Sequence, residues 1–352
     1  MKDNSIPDRK ETLQRVQSYL ADKTKLSTPL PVDYLDELEL IWGKKWGAQS
    51  EIGKLRETMV QRPGNEMAPP TEDLAWYQLT EQPNVAKCQE EHDGLVDIFK
   101  QEGVTVHDVS PPEDWLMTEP YGVPHARYGG GARDPGVVVN GGAIIGRMSL
   151  AYRKGEEAWW CRKAVDLGMP ILFTVHGSGT FEGGNVVWLD STHVSIGRSA
   201  RTNSEGLEQV SMILRSVGVE EVIVVPIPGW LDNLEWPAGG YAHLDIVFGY
   251  VDDGLALVYP PGVPYDFIER LRSKDINLVE VWPEDARRLA CNVVAIEPGK
   301  IVMVDGLDRA TRDLEREGVD VIPLSWNETM KGGGGPHCAT GPLRRDSGPR
   351  LG

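Results

Sequence analysis

Cysteine is scarce in this chain of 352 residues. The four, Cys88, Cys161, Cys291 and Cys338, show no CxxC spacing and have no His pair nearby, which argues against a zinc finger or a disulfide scaffold. The seven histidines contain no i,i+4 pair and no HxH spacing, so no metal site is expected. No cofactor is expected either. The one glycine run, Gly332–Gly335, is not followed by Lys-Ser/Thr and does not open a helix after a strand, unlike a phosphate-binding loop. Basic charge is in deficit. With 36 Lys and Arg against 53 Asp and Glu, the formal net charge is −17, which excludes the basic footprint that nucleic acid requires. An acidic cleft for a cationic substrate fits this balance, and so does acidity that serves solubility alone. Apolar runs of membrane-spanning length are missing. The opening MKDNSIPDRKETLQRV is too polar for a signal peptide, so no membrane partner and a cytoplasmic location are expected.

What remains is ordinary globular composition, 40% hydrophobic and 25% charged. Residues 1–50 read as a helical N-terminal extension. Leu13, Val16 and Leu20, then Leu35, Leu38 and Ile41, give apolar faces at helical spacing, broken at Thr28-Pro29-Leu30-Pro31. Trp42 and Trp46, four apart, read as a packing face. Residues 51–352 read as the second, main domain.

A repeat runs through that domain. Asp134-Pro-Gly-Val-Val-Val-Asn-Gly-Gly-Ala-Ile-Ile predicts a β-hairpin, followed by a helix through Trp160 to Leu167. The hairpin recurs from Glu182, from His243 and from Asn292, with helices predicted over about 204–217, 265–273 and 310–317. Leu55–Pro63 begins a more divergent first member whose helix ends near Gly103. After each helix comes a short apolar strand, as at Ile171, Val222, Leu278 and Val321. Five such units of about fifty residues predict a radial repeat. Closing it as a ring removes sheet edges and leaves a central channel.

Asp134, Glu182 and His243 begin their hairpins, and Cys338 follows the last apolar strand in GGGGPHCAT. A lone Cys after four glycines suits a flexible tail. Equivalent places in a ring of modules would instead bring the thiol, the histidine and the carboxylates together. Cys88, Cys161 and Cys291 read as buried, inert thiols.

These segments resemble the guanidino-group-modifying superfamily of arginine deiminases, dimethylarginine dimethylaminohydrolases and amidinotransferases. The resemblance is carried by Gly-Ala-Arg-Asp134, Phe-Glu182-Gly-Gly-Asn185, Gly197-Arg-Ser-Ala-Arg201-Thr-Asn203, His243-Leu-Asp245 and Gly-Gly-Gly-Gly-Pro-His-Cys338-Ala-Thr, in the family's chain order between about Leu55 and Arg345. It implies an α/β fold, the five-bladed ββαβ propeller (pentein) with pseudo-fivefold symmetry and a central channel.

The resemblance further implies that Cys338 attacks a guanidine-like carbon and forms a covalent thioether intermediate. His243 is then the general acid and base, and Glu182 completes the catalytic set. Asp134 and Asp245 would hold the planar substrate group by charge-assisted hydrogen bonds, with Asn185 beside them where many relatives carry Asp. Each carboxylate also suits a turn. Arg201 falls where relatives bind a substrate carboxylate, with Arg147 and Arg153 as weaker candidates. His337 varies across the family. Tyr121–Tyr128 is expected as a loop at the mouth, with His125 a loop residue.

The implied partner is a small guanidine-like molecule, arginine or methylarginine among them, and a homo-oligomer is compatible with these features. Displacement on a guanidine-like heterocycle such as 2-nitroimidazole, amidino transfer, and a silent metabolite-binding repeat protein are the alternatives.

Overall fold

A computed structural model of the chain describes residues 33–68, 81–111, 132–228 and 241–351, with scattered positions among 14–24 and 71–79. Leu13, Leu20 and the expected mouth loop Tyr121–Tyr128, His125 included, lie outside the described residues. The first helix described in full, α1 (Tyr34–Ile41), is capped by the Asp33 side chain accepting from Leu35 N. Its apolar spacing is only partly used. Leu38 is buried, whereas Leu35 and Ile41 are exposed. The helix stops at Trp42, and Gly43 turns the chain at φ +76°. The two tryptophans therefore do not share a face: Trp42 is exposed and Trp46 buried in the core.

Among the described residues the β structure consists of five three-stranded sheets built by one rule. In the first, β1 (Leu55–Val60) is followed by helix α2 (Val85–Gln101) and then β2 (Thr105–Asp108), which lies parallel to β1. Parallel neighbours cannot be joined by a tight turn, so a crossover helix is required. Asn84 caps α2 by accepting from Lys87 N, and Cys88, His92, Leu95 and Phe99 bury one face at helical spacing.

The second sheet adds the hairpin. β3 (Gly136–Val139) and β4 (Gly142–Ile145) pair antiparallel across Asn140-Gly141, with Gly141 at φ +101°. Asn-Gly is suited to the positive φ of such a tight turn. Helix α3 (Glu156–Asp166) then returns the chain to β5 (Ile171–Thr174), parallel to β4. The third unit repeats this with β6 (Val186–Trp188), β7 (His193–Arg198), α4 (Ser204–Ser216) and β8 (Glu221–Pro226). The fourth uses β9 (Phe248–Asp252), β10 (Leu255–Val258), α5 (Tyr265–Arg272) and β11 (Asn277–Glu280). The fifth uses β12 (Val294–Glu297), β13 (Lys300–Val304), α6 (Asp308–Arg316) and β14 (Asp320–Leu324).

The closing strand β15 (Gly341–Arg345) completes the first sheet by pairing antiparallel with β1. Every sheet therefore has a first strand that precedes its central strand or, for β15, returns to it from the far end of the chain. These first strands are close to one another: β15 touches β3, β6 touches β9, and β9 touches β12. β3, β6 and β9 are buried almost throughout, while the third strands are partly exposed. That gradient explains why the first strands read as near-continuous apolar runs rather than alternating ones.

Trp326 is fully buried and its indole Nε1 donates to Gly334 O at 3.0 Å. Deleting such a side chain costs about 3–5 kcal/mol. This anchor, with Gly333 at φ +87°, makes the glycine run an ordered loop rather than a tail. No helix among the described residues is long and apolar enough to cross a membrane.

Candidate active site

The five first strands each follow a polar residue that points into one cluster. Asp134 stands before β3, Glu182 before β6, His243 before β9, Asn292 before β12 and Cys338 before β15. All five are buried. They do not occupy the first strand positions, as the hairpin pattern predicts. Glu182 and His243 instead stand immediately before short 3-10 turns, 183–185 and 244–246, inserted ahead of their strands. The inserted turns let the main chain stop short of its neighbours and direct side chains into the space between them.

Glycine makes that space. A Cβ on Gly184 would sit 2.7 Å from Asp134 Oδ1 and 2.9 Å from His243 Cγ, and one on Gly335 would sit 2.5 Å from Asn292 Oδ1. Gly184 N donates to Asp134 Oδ1 at 3.1 Å. The close approach that glycine permits is used for the site itself.

One half of the cluster is built on His243. Its Nε2 lies 2.8 Å from Glu182 Oε2 and its Nδ1 3.7 Å from Asp134 Oδ1. Ser149 donates to Glu182 Oε1 from its backbone N at 2.8 Å and its hydroxyl at 3.0 Å. Burial pushes the imidazolium pKa down, but Asp134 and the Glu182 hydrogen bond outweigh it and hold the ring above its usual value. Burial likewise pushes the Glu182 carboxyl up, and Arg201, the His243 hydrogen bond and Arg153 overcome it, leaving it well below the usual range. Asp134 is also lowered, burial being outweighed by His243 and Arg153.

The other half is built on Cys338. Asn292 Nδ2 lies 3.2 Å from the sulfur, and Asp245 Oδ2 lies 3.6 Å from it. Burial, then Asp245 and Asp134, push the thiol well above its ordinary pKa, against the opposing pull of the Gly335 backbone and the Asn292 amide. His337 bridges two carboxylates beneath the thiol, Nδ1 to Asp245 Oδ2 at 2.8 Å and Nε2 to Glu51 Oε1 at 2.5 Å. Burial raises the Glu51 carboxyl, but His337 and Arg133 bring it down to about 2. The halves are joined by the backbone, since Arg133 N donates to Cys338 O at 3.2 Å.

The predicted residues take distinct places. Cys338, His243, Glu182, Asp134 and Asp245 come together. Asn185 is fully buried and its amide is taken up by the protein. Nδ2 donates to Thr202 Oγ1 at 3.0 Å and Ser199 Oγ at 3.2 Å, while Oδ1 accepts from Leu244 N at 3.1 Å. It thereby ties the turn after His243 to the loop carrying Arg201. Arg201 is buried with Nη1 3.6 Å from Glu182 Oε2. Arg147 Nη1 donates to Gly179 O.

Arg153, read from sequence as a candidate for a substrate carboxylate, faces carboxylates of the protein. Its Nε and Nη2 donate to Glu156 at 2.9 and 2.7 Å, and Nη1 donates to Asp134 Oδ2 at 2.8 Å. Asn292, Glu51 and Glu156 went unassigned in the sequence. Asn292 carried a usable signal, because it opens the fourth hairpin as Asp134, Glu182 and His243 open theirs.

Asp134, Glu182 and His243 also offer ligand atoms within 4.8 Å of one another, close enough to hold a metal ion. The Arg153 guanidinium already supplies positive charge at that place, through its contacts with Asp134 and Glu182.

The arginine deiminase family model matches residues 132–266 and 264–345. The 2-nitroimidazole nitrohydrolase of Mycobacterium sp. (strain JS330) is 26% identical over 276 residues, covering 76% of this chain and 71% of that protein. The N(G),N(G)-dimethylarginine dimethylaminohydrolase of Pseudomonas aeruginosa is 25% identical over 257 residues, covering 73% and 88%. In fold, the chain is similar to SxtG, an amidinotransferase from Microseira wollei, with a TM-score of 0.70 and 18% identity over 85% of this chain and 97% of that one. With the family model spanning more than half of its length, the chain belongs to the arginine deiminase family and is a hydrolase acting on a guanidine-like carbon.

Proposed function

We propose that the chain hydrolyses a C–N bond of a small molecule at a guanidine-like carbon, with Cys338 as nucleophile. The observation that carries this reading is the convergence of Cys338, Asn292, Asp134, Glu182 and His243 from the starts of five equivalent strands. The fold that accounts for it is a five-bladed ββαβ propeller formed by residues 51–352, with residues 1–50 as an extension.

In the reaction, the Cys338 thiol passes its proton to a substrate nitrogen as sulfur bonds to the carbon, and a tetrahedral adduct forms. Asn292 donates toward the sulfur and steadies the developing thiolate. Asp245 and Asp134 orient the planar nitrogens of the substrate. His243, kept protonated by Glu182 and Asp134, gives a proton to the departing nitrogen as the C–N bond breaks. The neutralised ring then takes a proton from water, whose oxygen attacks the thioether carbon. The C–S bond breaks as the hydroxyl proton of that adduct passes to sulfur, and the thiol is restored.

The similarity to a 2-nitroimidazole nitrohydrolase supports a second substrate reading for the same chemistry, displacement of a leaving group from a 2-substituted imidazole. Incubation with arginine, methylarginines, agmatine and 2-nitroimidazole, followed by assay for ammonia, methylamine and nitrite, tests both. Release of one of these products by the wild type and its loss in Cys338→Ser is expected. Turnover that survives Cys338→Ser would exclude the nucleophile assignment. New guanidino compounds formed only with an added acceptor amine would point to transfer instead.

A further inference from the structure

We propose that Asn185 is a positioning residue: it locks His243 onto Glu182 through Ser199 and Thr202, and it makes no contact with substrate. The inference rests on the reading of His243 as acid and base in the reaction above, and concerns what holds that ring in place.

The argument is a count of hydrogen bonds. An asparagine amide offers two N–H donors and one carbonyl oxygen. Both donors of Asn185 are spent inside the protein, on Thr202 Oγ1 at 3.0 Å and Ser199 Oγ at 3.2 Å, and Oδ1 accepts from Leu244 N at 3.1 Å. Gly197 closes over the same oxygen, since a Cβ built there would stand 2.3 Å from Oδ1. The side chain is fully buried, and it has no donor left to offer a ligand.

Its partners carry the constraint onward. Ser199 Oγ accepts from Arg201 N at 3.1 Å and donates to Ala242 O at 2.6 Å. With the bond from Asn185, its one hydrogen and both lone pairs are used. Ala242 and Leu244 flank His243, so Asn185 holds the main chain on both sides of the ring, directly at Leu244 and through Ser199 at Ala242. Thr202 Oγ1 accepts from Glu182 N at 3.2 Å as well as from Asn185. One amide therefore sets both ends of the 2.8 Å contact between His243 Nε2 and Glu182 Oε2. A buried network with its members satisfied fixes a single arrangement.

A carboxylate of the same shape could not replace this amide. It would turn an oxygen toward Ser199 Oγ, whose only hydrogen is committed to Ala242 O. Either two oxygens then face each other with no proton between them, or Ser199 rotates and leaves Ala242 O unpaired. The asparagine at 185 is matched to the serine at 199.

The ring reports the lock without any substrate. In wild-type enzyme grown with nitrogen-labelled histidine, NMR is expected to show a hydrogen-bonded Nε2–H far downfield, assigned by its absence in His243→Ala. Asn185→Asp, and Ser199→Ala as the milder change, should each broaden or abolish it while circular dichroism stays that of wild type. Kinetics use whichever of arginine, methylarginine, agmatine and 2-nitroimidazole the wild type turns over. There kcat should fall on the order of ten- to a hundredfold in both variants, with KM not raised. A raised KM at unchanged kcat in Asn185→Asp would make the residue a substrate contact and overturn the inference. So would a wild type without the resonance, or a folded variant of either kind that keeps it. If Asn185→Asp does not fold, Ser199→Ala decides alone. Turnover that persists in Cys338→Ser would end the nucleophile reading instead, and the resonance, which needs no turnover, tells the two failures apart.

Discussion

Asn292 holds Cys338 from two sides: its Nδ2 lies 3.2 Å from the sulfur, and its Oδ1 accepts from the Cys338 backbone N at 3.2 Å. The same Nδ2 reaches Asp245 O at 3.2 Å. One amide thus fixes the Cys338 side chain and the turn carrying Asp245, and donates to a thiol whose pKa burial and two aspartates push up.

Asn292→Ala is expected to raise the pKa of Cys338 and lower kcat/KM. A hydrogen bond to a charged group is worth about 1.5–3 kcal/mol, so the loss is on the order of ten- to a hundredfold. The pH profile of iodoacetamide alkylation checks the first part, and steady-state kinetics the second. A variant with an unshifted alkylation profile would show that the amide only packs.

Gly184→Ala should separate geometry from folding. The added methyl group meets Asp134 Oδ1 at 2.7 Å and the His243 ring at 2.9 Å, so both must shift. Displacements of about 1 Å near reacting groups cost about a hundredfold in rate. Circular dichroism and the melting temperature should stay close to wild type while kcat falls. Wild-type kcat would contradict the placement of His243.

His243→Ala should leave the first chemical step slowed and the breakdown of the Cys338 adduct slowed further, because no group then activates water. Rapid quench followed by intact-mass analysis would show adduct accumulating. Normal steady-state rates would exclude His243 as acid and base.

Glu51 offers a prediction about acid stability. Its carboxyl is lowered from 4.5 to about 2, so the unfolded chain binds a proton there that the folded chain does not. Its stabilisation is fully present above the unfolded value and is lost as pH falls from about 4.5 toward 2. Urea denaturation of wild type and Glu51→Gln across that interval should show about one fewer proton taken up on unfolding in the variant. Parallel pH dependence would mean that the His337 bridge leaves Glu51 unperturbed.

The repeat of hairpin, helix and strand was legible because each unit carries its own turn chemistry and its own apolar runs, at spacings that need no partner to recognise. Cys338, His243 and the carboxylates were legible through their places in that repeat. Asn292 opens the fourth hairpin in the same way, but an asparagine there also reads as a turn residue, and its 3.2 Å distance to the sulfur decides between the two. Glu51 escaped for a topological reason. Its partner His337 lies 286 residues away in sequence, and no local pattern announces that contact. Arg153 was misread because an arginine near a cationic-substrate site suggests a substrate carboxylate. Its partners Glu156 and Asp134, three and nineteen residues away, are brought to it by the turn after β4. The exposed flank of α1 marks the opposite failure, where helical spacing at Leu35 and Ile41 exceeded the surface available to bury them.

The central claim is that Cys338 forms a covalent bond to the substrate carbon. Acid quench during turnover, intact mass of the protein and peptide mapping measure it directly. The account predicts a mass increase equal to the substrate less its leaving group, confined to the peptide containing Cys338, enlarged in His243→Ala and lost in Cys338→Ser. Turnover without any such adduct in His243→Ala, or an adduct on a different residue, would contradict it.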